Sequence, residues 1–134
     1  TVKGLKTNKG CPPVKKEIVQ KVNSAARRIH FNYKSVLLTE PSKKVLLEVV
    51  KLLKDNPELN VSIEGHTSID GNPANHDKLS EARAYSVKIY LESKGIAPDR
   101  LSHIGYGASK PLVKGSTEAA YARNRRVEMI LSNN

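Results

Sequence analysis

Apolar positions along this chain alternate between two periods, one near 3.6 and one of two. Val14, Ile18, Val22, Ala25 and Ala26 recur at helical spacing and predict a leading helix over Val14–Arg27. Ile29–Tyr33 alternates apolar and polar residues and reads as a short first strand. Pro41 then sits just inside a helix start, where its missing N–H costs nothing. Val45, Leu46, Val49, Val50, Leu52 and Leu53 carry that helix as an apolar stripe up to Asn56-Pro57. Leu59, Val61 and Ile63 alternate with Asn60, Ser62 and Glu64, the pattern of a strand with one face inward. That strand empties into Gly65–Pro73, a loop rich in Gly, Asn, Asp and Pro.

Asp77 is placed to cap the next helix, which carries Leu79, Ala82, Val87, Tyr90 and Leu91 on its buried side and stops at Gly95. Arg100–Tyr106 reads as a third strand and Gly105–Gly115 as a loop. Thr117 opens a short helical turn, and Val127, Met129 and Leu131 line one face of a final strand. The order is αβαβαβ(α)β with no internal repeat. Strands alternating with amphipathic helices place the chain in the α/β (α+β) class: a mixed sheet of about four strands packed on two main helices, with an extra leading helix.

Composition narrows the function classes. The 134 residues are one domain's worth, and no apolar run approaches the roughly 20 residues of a membrane span. The net charge of +10 points first to nucleic acid or an anionic surface. Its distribution weakens that reading: Thr1–Ser35 holds nine Lys/Arg and one acid, a net of +8, and the remaining residues hold fourteen against twelve, a net of +2. Five Tyr and one Phe offer little for base stacking, so nucleic acid is set aside. Residues 1–13, with Gly4, Gly10, Pro12 and Pro13, form an irregular arm before a domain spanning 14–134. The single Cys11 in that arm is either an incidental thiol or half of a disulfide whose partner lies upstream. Thr1 follows no signal-peptide pattern, and the chain is read as a mature fragment or an excised domain.

Enzymatic chemistry finds no foothold. No hydrolase triad is assembled, no cofactor motif stands out, and His30, His66, His76 and His103 lack zinc-type helical spacing, so no metal site is expected. Gly105-Tyr106-Gly107 resembles a dinucleotide loop only briefly, since Lys110 stands where a third Gly belongs. The informative constellation is the polar loop Gly65–Asn75, the helix segment Leu79–Ala84 and Asn124-Arg125-Arg126 before the last strand. Loops at strand ends facing a helix start make a crevice for a polar ligand. Arg83, one turn after Leu79, is able to face it and hold a carboxylate in a bidentate fork, or else is a solvated helix charge.

Four motifs occur in order: Ile63-Glu64-Gly65-His66-Thr67; Leu79-Ser80-x-x-Arg83-Ala84; Arg100-Leu101 with Gly105-Tyr106-Gly107-x-x-x-Pro111; and Asn124-Arg125-Arg126-Val127-Glu128. Together, over roughly Ala26–Leu131, they resemble the OmpA-like C-terminal domain family, whose members anchor outer-membrane proteins and lipoproteins to peptidoglycan from the periplasm. Thr7–Pro13 is similar to the end of the thrombospondin-type-3-like repeats that often precede such domains, which favours the upstream-disulfide reading of Cys11. The resemblance implies a non-catalytic module on the periplasmic side of the outer membrane. It implies peptidoglycan as partner, no membrane insertion by the domain itself, and a barrel or lipid anchor upstream. The family's ligand is the diaminopimelate of the stem peptide. Its carboxylate would fall to Arg83, supported by Arg125, and its ammonium to the residue after the His-Thr pair. The implied ligand set is Thr67, Ser68, Ile69, Asp70, His76, Leu79, Arg83, Asn124 and Arg125.

Two positions depart from the family pattern. Ser68 stands where Asp is usual, and His76 where Asn is usual. A hydrogen bond to a charged group is worth roughly 1.5–3 kcal/mol, so losing the charged partner at 68 is expected to weaken binding about ten- to a hundredfold. Asp70, two residues on, is a substitute carboxylate within reach. These departures leave a second expectation: a degenerate member that has lost the ligand and serves as a structural or protein-interaction module.

Overall fold

The computed structural model describes residues 15–31, 36–67, 73–110, 114, 117, 119–120 and 124–133, with the side chains of residues 73–77 outside the description. Its elements are α1 (Lys16–Arg27), α2 (Glu40–Asp55), β1 (Leu59–His66), α3 (Pro73–Ser93), a 3-10 turn (Pro98–Arg100), β2 (Leu101–Gly105) and β3 (Arg126–Asn133). The arm over residues 1–13, with Cys11, lies outside the described residues. So do part of the expected first strand and Ser68, Ile69 and Asp70 of the expected site.

Among the described residues, three strands form one mixed sheet in the order β2-β1-β3. β1 runs parallel to β2, from Val61↔Leu101 to Gly65↔Gly105, and antiparallel to β3, from Leu59↔Asn133 to His66↔Arg126. Of the expected first strand, the described residues show a single antiparallel bridge, Phe31↔Leu38. Leu59, Val61, Ile63, Val127 and Met129 turn inward, against Val22, Ala25 and Ala26 of α1, Val45, Leu46, Val49, Val50 and Leu53 of α2, and Ala84, Val87 and Leu91 of α3. The opposite face carries the alternate residues, among them Glu64, His66, Arg126 and Glu128.

Local chemistry sets the boundaries. Thr39 caps α2, its hydroxyl accepting from the Ser42 N–H, with Pro41 in the first turn. The other end of α2 is closed by Arg100. Its guanidinium donates to the carbonyls of Leu53 (2.8 Å), Asn56 (2.9 Å) and Leu59 (2.9 Å), joining the helix end to the start of β1. Arg100 therefore precedes β2 rather than opening it. Gly95 follows α3 with φ +102°, the left-handed position its place in the sequence predicts.

Two expectations about α3 are corrected. The helix begins at Pro73, so Asp77 lies inside it instead of capping it, while Gly65 and His66 still belong to β1. Proline's fixed φ suits the first helical turn. The buried face is also rotated: Ser80, Arg83, Ala84, Val87 and Leu91 are buried, whereas Leu79, Ala82 and Tyr90 are half-buried. The reason is a backbone contact. A Cβ on Gly65 would lie 2.0 Å from the Ser80 carbonyl oxygen, and one on Gly105 would lie 2.3 Å from the Glu81 nitrogen. The helix rests directly on two paired glycines, and only small side chains fit beside that seam.

Candidate functional site

The seam fixes the base of the site. Ser80 Oγ accepts from the Gly107 N–H at 2.9 Å, tying α3 to the turn after β2. That turn folds back over the end of β1: the Tyr106 N–H donates to the Gly65 carbonyl (2.9 Å) and the Thr67 N–H to the Gly107 carbonyl (2.8 Å). Gly107 adopts φ +58°, so both glycines of the Gly-x-Gly pair serve the chain's own packing. Arg126 closes the other side, donating to the carbonyls of Lys110 (3.0 Å) and Asn124 (3.3 Å) and to the Glu128 carboxylate.

One turn beyond Ser80, Arg83 is 9% exposed, with its guanidinium carbon 5.1 Å from the centre of the Phe31 ring. Burial pulls its pKa below the usual arginine value, and the neighbouring Arg125 guanidinium adds to the effect. Two cations from different elements, α3 and the segment entering β3, therefore converge. Such an arrangement raises the local positive potential and suits a carboxylate or another planar anion. Asn124 beside them is buried, Arg125 is exposed and Leu79 is half-buried. Thr67 is buried, and its Oγ1 has no hydrogen-bond partner among the described residues. Thr67, Leu79, Arg83, Asn124 and Arg125 are thus described. Ser68, Ile69 and Asp70 are not, nor is the side chain of His76. A concavity of about 710 Å³ between Val36–Lys43 and Tyr85–Ser93 is lined by neither Arg83 nor Arg125.

A second cluster escapes a search by helical spacing. Glu64 and His66, two apart on β1, share a sheet face with Glu128, the cross-strand partner of Glu64. His66 Nε2 lies 3.7 Å from Glu64 and 3.9 Å from Glu128. The imidazole is 2% exposed and stacks on Tyr106 at 5.4 Å between ring centres. Its pKa is lowered to about 4, first by burial and then by Arg126 and Lys110, against the pull of Glu128. It is neutral near pH 7, and the two contacts are not ion pairs. Only the antiparallel register reveals this cluster, through the pairing of Glu64 with Glu128.

Comparison with known proteins places these features in a family. The family model described as "OmpA family" matches residues 30–125. The peptidoglycan-associated lipoprotein of Buchnera aphidicola is 34% identical over 102 residues, which cover 76% of this chain and 59% of the lipoprotein. The peptidoglycan-binding protein ArfA of Mycobacterium bovis is 32% identical over 104 residues, 78% of this chain and 32% of ArfA. The crystal structure of the peptidoglycan-associated lipoprotein from Burkholderia pseudomallei superposes with a TM-score of 0.73 at 25% identity, covering 78% of this chain and 88% of that one. The chain spans little more than half of the Buchnera relative and about a third of ArfA. The mixed α/β fold, the ordered motifs and these matches establish that the chain belongs to the OmpA family.

Proposed function

We propose that this domain binds the peptide stem of peptidoglycan without catalysis, and so anchors the protein that carries it to the cell wall on the periplasmic side of the outer membrane. The observation that carries the reading is the burial of the Arg83 guanidinium, with the exposed Arg125 near enough for its charge to be felt there. The relatives named for peptidoglycan support the ligand class. In this reading Arg83 takes the carboxylate of diaminopimelate as a fork, and Arg125 reinforces the charge. Thr67, Ser68 and Ile69 line the crevice with Leu79, His76 and Asn124. The ammonium goes to the Ser68 hydroxyl, helped by the Asp70 carboxylate. Binding and release require no bond to be made, so nothing in the site needs a nucleophile.

Titration calorimetry with a diaminopimelate-containing stem peptide tests this. The parent domain is expected to bind weakly, Ser68→Asp to bind about ten- to a hundredfold more tightly, and Arg83→Ala not to bind. Asp70→Asn should abolish what the parent retains. Ser68 and the undescribed His76 side chain depart from the family pattern, and they favour a second reading as a structural or interaction module without the ligand. Failure of both the parent and Ser68→Asp to bind would establish that reading instead.

A further inference from the structure

We propose that Glu64, His66 and Glu128 form a binding site for a divalent transition-metal ion of the Zn²⁺ type, bridging β1 and β3 on the sheet face away from the helices. The donor atoms of the three side chains lie within 4.8 Å of one another. Bonds of about 2.0–2.2 Å place two donors of a single tetrahedral ion roughly 3.4 Å apart. The His66 Nε2 distances of 3.7 and 3.9 Å therefore need to close by only a few tenths of an ångström. The carboxylates can supply that movement, because the Glu64 and Glu128 side chains remain 19% and 37% exposed while the imidazole is held fixed. The same exposure gives the ion a way in.

The imidazole makes the case specific. Neither His66 Nδ1 nor Nε2 has a hydrogen-bond partner among the described residues, although the ring is almost wholly buried. Buried polar atoms are nearly always partnered, so an orphaned imidazole aimed at two carboxylates is a preformed donor lacking an acceptor. One imidazole with two carboxylates suits zinc and its neighbours in the first transition row better than calcium or magnesium, which prefer all-oxygen shells. Two cations oppose the ion: Arg126, which already donates to Glu128, and Lys110, 3.9 Å from the centre of the Tyr106 ring. They hold the affinity below that of a closed structural zinc site. The site does not depend on the stem-peptide reading, since no residue of the Arg83 crevice takes part.

The test uses chelator-stripped protein titrated with zinc chloride, followed by calorimetry and by thermal unfolding. The parent is expected to bind one ion and to gain several degrees in Tm at saturation. Glu64→Gln and Glu128→Gln, both at partly exposed positions that should fold normally, are each expected to weaken binding at least tenfold. A triple variant, His30→Gln with His76→Gln and His103→Gln, should bind as the parent does. Cobalt(II) in place of zinc should broaden the NMR signals of the Tyr106 ring stacked on His66. The proposal is overturned if the folded parent fails to bind at millimolar zinc, if the Glu variants retain parental affinity, or if the triple variant loses it.

Discussion

Replacing Gly65 by Ala adds one methyl group, and the structure gives a direct measure of what it meets. The new Cβ would stand 2.0 Å from the Ser80 carbonyl oxygen, 2.8 Å from its carbon and 3.2 Å from its Cα. All three are backbone atoms in the middle of α3, so no side chain can rotate aside. Relief requires the helix to lift from the sheet by more than an ångström, which would also disturb the 2.9 Å hydrogen bond from Gly107 to Ser80. Overpacking a core typically costs about 1–3 kcal/mol where side chains absorb it, so a backbone clash belongs at about 3 kcal/mol or beyond. The gain from restricting the unfolded chain, about 0.4–1 kcal/mol, does not offset this. For a domain of this size the loss corresponds to a fall in Tm of roughly 10–15 °C. Gly95→Ala is the control. There the nearest atoms are the mobile Lys54 Nζ and Cε at 3.3 and 3.4 Å, and the penalty is the left-handed φ alone, about 1–2 kcal/mol. Urea unfolding followed by circular dichroism at 222 nm measures both. A Gly65→Ala domain within 0.5 kcal/mol of the parent, or one more stable than Gly95→Ala, would refute the idea that α3 is seated on bare backbone.

Protonation of His66 yields a prediction about pH. Its pKa is about 4 in the folded domain against 6.5 in the unfolded chain, so between those values the unfolded chain binds the extra proton. Stability is therefore complete above pH 6.5 and declines as pH falls towards 4, by up to about 3 kcal/mol. Unfolding measured in EDTA at pH 7 and pH 4.5 should show the decline, and His66→Asn should remove that part of the slope; an equal slope in the variant refutes the assignment. Arg100→Ala deletes three donors to the carbonyls of Leu53, Asn56 and Leu59. It is expected to cost about 2–3 kcal/mol, and Arg100→Lys, with a single ammonium, to recover only part of it. A loss under 0.5 kcal/mol in chemical denaturation would mean that water replaces the guanidinium at no cost.

Elements with local, redundant signals are readable from the chain. β1 alternates strictly and is covered on one face, and α2 carries a Thr39 cap, an early proline and a continuous stripe. The buried side of α3 is not readable by hydropathy, because a helix pressed against two glycines buries Ser80 and Ala84 ahead of Leu79. Nor does the pattern show where α3 begins. The loop formers of 65–75 divide between the end of β1, residues outside the description and the first turn of the helix. Arg83 stands out through its motif, but its burial against Phe31 and its meeting with Arg125 depend on elements far apart in sequence. Glu64 with Glu128 is a matter of register, which no single strand encodes.

The central place of β1 has a mechanical consequence. In the proposed role the domain would carry tension between its ligand and the rest of its chain, entering near Thr67, which follows the C-terminal end of the central strand. A pull applied there along the strand axis acts on five residue pairs with β2 and eight with β3. The hydrogen bonds of both ladders run across that axis, so they are loaded together in shear instead of parting one after another as in a peeled edge. The rupture force of the folded domain should therefore depend strongly on direction. It should be highest for tension entering at Thr67 and lower for tension drawn through the end of β3, an outer strand of the described sheet.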